Sequence, residues 1–162
     1  MMMLRVGIEL LAAGAVVAAA AIDVRRYEIP DALPAIVAAT AIADGLLTAH
    51  FGWLAHGAAG MAMFGFGLFA FGRGWLGGGD VKLMTALALW TGLAQLPVLL
   101  LGIALGGGVL VLLIHLSRLV LFAGLDEPHR PRVTRRDQPL PYAVAIAAGT
   151  LWWVMTYRIT LA

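Results

Sequence analysis

Residues 81–123 read VKLMTALALWTGLAQLPVLLLGIALGGGVLVLLIHLSRLVLFA. Apart from Lys82 and Arg118, this run carries no formal charge. As one helix it would be roughly 65 Å long, about twice the thickness of a bilayer's hydrocarbon core. It must therefore fold back. Proline breaks helices, so the Gln95-Leu96-Pro97 region is the expected turn. That divides the run into a fourth helix over residues 81–94 and a fifth over 97–122. Working outward, four more apolar runs have about the length a membrane helix needs. They cover residues 4–22, with Glu9 inside; 32–49, with Asp44 inside; 53–71; and 140–157.

The expected fold class is thus all-α and integral to the membrane. A bundle of six transmembrane helices forms one domain over residues 1–162. Composition agrees, with 62% of residues hydrophobic and 12% charged. A soluble globular chain is about 45–50% apolar and about 25% charged, so the lipid bilayer is the partner this surface needs. The net charge of +2 does not indicate nucleic acid, because the basic residues sit in short loops between apolar runs, where they set topology. The absence of cysteine excludes disulfides, thiolate metal sites and a cysteine nucleophile. The first apolar run passes into a charged segment without a small-x-small cleavage site. It reads as a retained helix, not a removed signal.

Nine of the eleven basic residues fall after the first, third and fifth helices. They are Arg25 and Arg26; Arg73 and Lys82; and Arg118, Arg130, Arg132, Arg135 and Arg136. Arg5 and Arg158 lie opposite. Basic loops stay cytoplasmic, so both termini are expected outside. The polar stretch 125–139 is expected to be an irregular cytoplasmic loop. Trp53, Trp75 and Tyr157 fall near interfaces, where amphipathic rings anchor. Glycines within the helices, among them Gly60, Gly67, Gly102 and Gly106, suit close packing. His50 and His56 flank an outer turn and read as solvated.

Two segments at the cytoplasmic edge carry chemistry. Asp23 closes the first helix in Asp23-Val-Arg-Arg-Tyr-Glu-Ile-Pro-Asp31. Asp80 opens the fourth after Gly77-Gly78-Gly79. Asp80 is placed to act as an N-cap, where an anion meets free N–H groups. A fourth helix of residues 81–94 spans only roughly 21 Å, which draws Asp80 below the headgroups. A carboxylate there needs a partner, a proton or water, and Asp23 approaches the same leaflet. The three glycines would let a substrate backbone come close. Asp44 lies in the outer half of its helix, away from this pair. No His/Asp/Glu set has metal-ligand spacing, so neither a metal nor an organic cofactor is expected.

These residues carry a resemblance. Gly77-x-Gly79-Asp80 matches the G-x-G-D signature of membrane aspartyl proteases. Asp23 with Ile29-Pro30 resembles the first-aspartate motif of the type IV prepilin peptidases. Leu140-Pro141-Tyr142 through Gly149 resembles that family's late Pro-Tyr-Gly segment. Asp31 and Ala143 depart from the usual Asn and Gly. The short form is similar to the peptidases of tight-adherence (Flp-type) pilus systems. The resemblance implies an aspartic endopeptidase of the bacterial inner membrane, cutting prepilin leaders with Asp23 and Asp80 as catalytic residues. It also implies that Gly77, Gly78, Gly79, Ile29, Pro30, Pro141 and Tyr142 shape the site. Larger family members carry a cysteine-bearing domain and methylate the new N-terminus; with no cysteine and no loop long enough for that domain, methyltransferase activity is not expected here. Two carboxylates close together share one proton, which supplies acid and base at once. The rival readings are a proton- or cation-coupled transporter using Asp23, Asp80 and Asp44, and a non-catalytic assembly factor of a pilus or secretion machine.

Overall fold

The computed structural model of the chain describes residues 2–122, 124, 129, 131, 134 and 140–159. The described residues are helices and short connections. They are α1 (Met2–Arg26), α2 (Ala32–Leu47), α3 (Trp53–Gly72), α4 (Gly78–Val120) and α5 (Tyr142–Trp153), with α5 running on as a π-helical turn over Val154–Ile159. Most of the expected loop over 125–139 lies outside the described residues, as does the side chain of Arg158.

Five helices are counted where six were expected. The difference sits in α4, which runs from Gly78 to Val120 with one non-helical residue inside, Gly92 (φ 64°, ψ 175°). The break falls at this glycine and not at 95–97; Pro97 stays within helix. A left-handed φ costs an L-residue about 1–2 kcal/mol and glycine nothing. The two halves lie side by side. Met84 and Gly107 line one cavity, although a straight helix would set them roughly 34 Å apart.

The core follows helical periodicity. In α1 the buried apolar residues are Ala12, Ala15, Val16 and Ala19, one stripe at i, i+3, i+4 and i+7. The first half of α4 is buried on nearly every side, through Val81, Leu83, Met84, Ala86, Leu87, Ala88 and Trp90. It is the central helix of the bundle. Glycines bring α3 against it: a Cβ at Gly60 would meet Leu89 at 2.6 Å, and one at Gly67 would meet Val81 at 2.5 Å. The second half of α4 crosses α5 where Gly102 faces Gly149. Its outer side exposes Leu101, Leu105, Leu112, Leu113 and Leu116.

Three helices, Met3–Arg26, Trp53–Gly72 and Gly78–Val120, are long and apolar enough to cross a membrane. Exposed Leu, Val and Phe side chains cover their flanks. Water tolerates only small patches of that kind, so this is a membrane protein. Polar groups collect at its two ends. At one, Asp23, Tyr27, Gly77 and Asp80 share a cleft. At the other, Arg5, Asp44, Thr48, His56 and Gln95 line a second. Arg5 and Asp23 are eighteen residues apart on one helix, or roughly 27 Å, close to a hydrocarbon core.

Candidate active site

Asp23 is the next position on the buried stripe of α1, four residues after Ala19. The periodicity that buries alanines therefore delivers a carboxylate to the helix's inner end. Asp23 is only 7% exposed. The helix stops one turn later. The Tyr27 N–H donates to Asp23 O at 2.8 Å, and Tyr27 takes a left-handed φ of 55°. This is a helix C-terminal cap usually given to glycine. Asp23 Oδ2 accepts a hydrogen bond of 3.1 Å from the Ala143 N–H. Ala143 lies in the first turn of α5, after Pro141 at the N-cap. The carboxylate thus satisfies one of the free amides that every helix N-terminus carries.

Asp80 is held in a matching way at a different helix. It is the third residue of α4, and its Oδ2 accepts from the Gly77 N–H at 3.2 Å. The N-cap position expected for Asp80 belongs instead to Gly77. Asp80 reaches back to it, as the acid of a capping box does. Asp80 is 8% exposed, and its Oδ1 is buried without a hydrogen bond among the described residues. The Asp80 side chain begins the buried face that Leu83, Met84 and Leu87 continue.

The two aspartates line one cleft of about 450 Å³, with Tyr27, Gly74, Trp75, Leu76, Gly77, Leu140 and Tyr142. They are near enough to interact electrostatically. Each has one oxygen anchored by a backbone amide, which fixes the carboxyl. Among the described residues, no three His, Cys, Asp or Glu side chains cluster as metal ligands would.

The glycines before Asp80 divide by role. A Cβ on Gly79 would lie 2.8 Å from Ile29 Cβ, and one on Gly77 would lie 2.9 Å from Asp80 Oδ2. A Cβ on Gly78 would meet only Phe71, at 3.7 Å. Gly79 therefore makes room for Ile29, which is 6% exposed. Gly77 makes room for the Asp80 carboxyl itself. Gly77 also lines the cleft. Pro30 is exposed, and its carbonyl accepts from Leu33 N–H at the start of α2. Pro141 is buried, and Tyr142 is 39% exposed and lines the cleft.

Four cleft contributors escaped the sequence reading: Tyr27, Gly74, Trp75 and Leu76. Tyr27 had a usable signal, its spacing of four from Asp23. The sequence marks Trp75 only as an interfacial anchor. Its ring stacks edge-on with Phe69, and Arg73 sits over both rings. The Ala143 amide had no sequence signal, since backbone donors look alike in every residue.

At the far end, Asp44 is 3% exposed, with Arg5 Nε 3.9 Å from its Oδ1. Arg5 also donates to Leu47 O at 3.1 Å, capping the end of α2. His56, read as solvated, is half-buried, and its Nδ1 lies 2.8 Å from Leu89 O.

A profile of the type IV leader peptidase family matches residues 10–112. The chain belongs to that family. The matched region holds Asp23, Ile29, Pro30 and Gly77–Asp80. It ends before Pro141 and Tyr142. No curated protein and no solved structure matches the chain. As a member of the leader peptidase family the chain is a leader-peptidase-like protease, which fits a cleft that unites two carboxyls from separate helices.

Proposed function

We propose that this chain is an aspartic endopeptidase that removes the N-terminal leader of Flp-type prepilins at the cytoplasmic edge of the bacterial inner membrane. The observation that carries the reading is the meeting of Asp23 and Asp80 in one cleft, each nearly buried and each tethered by one amide. In this reading the chain crosses the bilayer six times, with α4 making two passes about Gly92. The aspartates lie on the cytoplasmic side, where Arg25, Arg26, Arg73 and Lys82 also fall, and both termini are external.

The chemistry follows from the pair. Two neighbouring carboxyls hold one proton between them. The ionised one takes a proton from a water, which attacks the scissile carbonyl carbon. The protonated one donates a hydrogen bond to the carbonyl oxygen as negative charge grows there. Collapse of the tetrahedral intermediate breaks the C–N bond. The leaving nitrogen receives a proton from the carboxyl that first accepted one. Which carboxyl starts ionised belongs to the pair and not to either residue.

The experiment is coexpression with a prepilin, following the mobility shift on leader removal. Asp23→Asn and Asp80→Asn each abolish processing while the protein still inserts and elutes as a single species in detergent. The double variant is no worse than either single one, because the two groups act as a unit. Asp44→Asn keeps most of the activity, since Asp44 lies at the opposite end beside Arg5. Normal processing by a folded Asp23→Asn or Asp80→Asn protein would sink the assignment.

A further inference from the structure

Among the described residues, two that are not glycine hold a left-handed φ, Tyr27 at 55° and His50 at 59°. His50 lies exposed in the turn between α2 and α3, and histidine is one of the side chains enriched in this conformation. Tyr27 is different. A bulky ring at such a φ is an outlier, and glycine would make the same turn without strain. The turn itself needs only backbone: the Tyr27 N–H donates to Asp23 O, and the chain then leaves for Ile29 and α2. Nothing in that geometry calls for a phenol. What the side chain adds is a wall. Tyr27 lines the dyad cleft with Asp23 and Asp80. Its hydroxyl is buried, so the tip of the ring is packed into protein and not loose in the opening.

We propose that Tyr27 is a positioning residue of the dyad: its ring forms the α1 wall of the cleft, covers the Asp23 carboxyl and holds the scissile peptide unit over the two acids. The proposal rests on the peptidase reading above. Backbone strain persists only where the surroundings over-determine it, and it collects at active sites. Here the strained residue and the acid belong to one helix end, joined by the Tyr27 N–H to Asp23 O bond of 2.8 Å. A ring fixed at Tyr27 is therefore fixed relative to the Asp23 carboxyl. The rest of the described lining comes from the segment before α4 and from the start of α5. On the α1 side the cleft has Asp23 and Tyr27, so without the ring that side opens to water. A peptide unit that can shift away from the acids reacts more slowly even when it still binds.

The test separates the ring from the turn, using the full chain in detergent. Tyr27→Gly and Tyr27→Ala both lose the ring, but only glycine relieves the φ. Tyr27→Gly should therefore unfold at a midpoint above that of Tyr27→Ala, by about 2–8 °C. On a reporter with a Lys-rich leader and one cleavage site, both should nevertheless lose kcat alike, at least about tenfold, with KM within about threefold. Tyr27→Phe restores the ring and recovers most of the wild-type kcat. His50→Gly relieves the other left-handed φ and leaves both constants unchanged. A residue that served only the turn would give another order, with Tyr27→Gly matching wild type and Tyr27→Ala trailing it. That order would overturn the proposal, and so would a Tyr27→Phe protein as slow as Tyr27→Gly. A second readout needs no catalysis. Carbodiimide coupling of glycine ethyl ester to Asp23, followed by mass spectrometry at fixed pH, should run severalfold faster in Tyr27→Gly and Tyr27→Ala than in wild type or Tyr27→Phe. Equal coupling throughout would remove the wall. Failure of the peptidase reading looks different: the wild-type protein would leave every reporter uncut, while the coupling rates still report whether Tyr27 covers Asp23.

Discussion

A methyl group added at Gly79 would sit 2.8 Å from Ile29 Cβ, and one added at Gly78 would meet nothing closer than 3.7 Å. Neighbouring glycines thus carry different constraints. Gly79→Ala must push apart α4 and the segment that follows Asp23, and with it the spacing of the two acids. We expect it to lose most processing while remaining inserted. Gly78→Ala should process a prepilin within about twofold of wild type, and its helix gains from alanine's better propensity by about 1 kcal/mol at most. Equal activity of the two variants in the mobility-shift assay would contradict this division. The acids were legible in the sequence as charges at the ends of apolar runs. Their anchors were not. Ala143 and Gly77 act through backbone N–H groups, which no side chain announces. Tyr27, with its left-handed φ of 55°, takes a conformation that the sequence assigns to glycine or asparagine by default.

Proline chemistry made Gln95–Pro97 the natural place for the long apolar run to turn, and the chain turns at Gly92 instead. Backbone freedom accounts for the difference. Glycine alone reaches φ 64° without strain, so the reversal settles there. The His56 ring then packs against Gly92, where an added Cβ would lie 2.8 Å from Nε2. That site was invisible in sequence because residues 56 and 92 are joined only by the fold. Gly92→Ala meets both the left-handed φ and the imidazole, which is held by Leu89 O. We expect a loss of about 1–2 kcal/mol from φ alone, or a midpoint lower by roughly 2–8 °C on the scaling for chains of this size. Pro97→Ala should leave the midpoint unchanged or raise it. Thermal unfolding in detergent, followed by circular dichroism, distinguishes the two. A larger loss at Pro97 would return the break to the proline.

The molecule as a whole is two polar ends on an apolar band roughly 27 Å deep along α1. Each end closes with contacts that tie helices together: Arg5 to Asp44 and the end of α2 at one, Lys82 to Asp31 at 2.6 Å at the other. The Lys82–Asp31 pair is exposed on both sides and contributes little to stability. The buried carboxylates beside it matter for chemistry. The band itself was readable from hydropathy, but the way α4 fits inside it was not. A continuous helix from Gly78 to Val120 would be roughly 65 Å long, with its two ends on opposite faces of any bilayer. Folding at Gly92 returns the second half towards the level of Met84, so Leu121 comes back to the side of Asp80. Topology therefore tests the fold. Cysteines at Glu28, Ala49 and Leu121 are introduced singly, at exposed positions, into a chain that has none of its own. A membrane-impermeant maleimide added to intact cells should label Ala49→Cys alone. After permeabilisation, Glu28→Cys and Leu121→Cys should label as well. Labelling of Leu121→Cys from outside, with Glu28→Cys protected, would mean that α4 runs straight through and that its halves do not pair. Protection of Ala49→Cys with labelling of Glu28→Cys would invert the molecule, placing Asp23 and Asp80 on the face where no cytoplasmic leader could reach them.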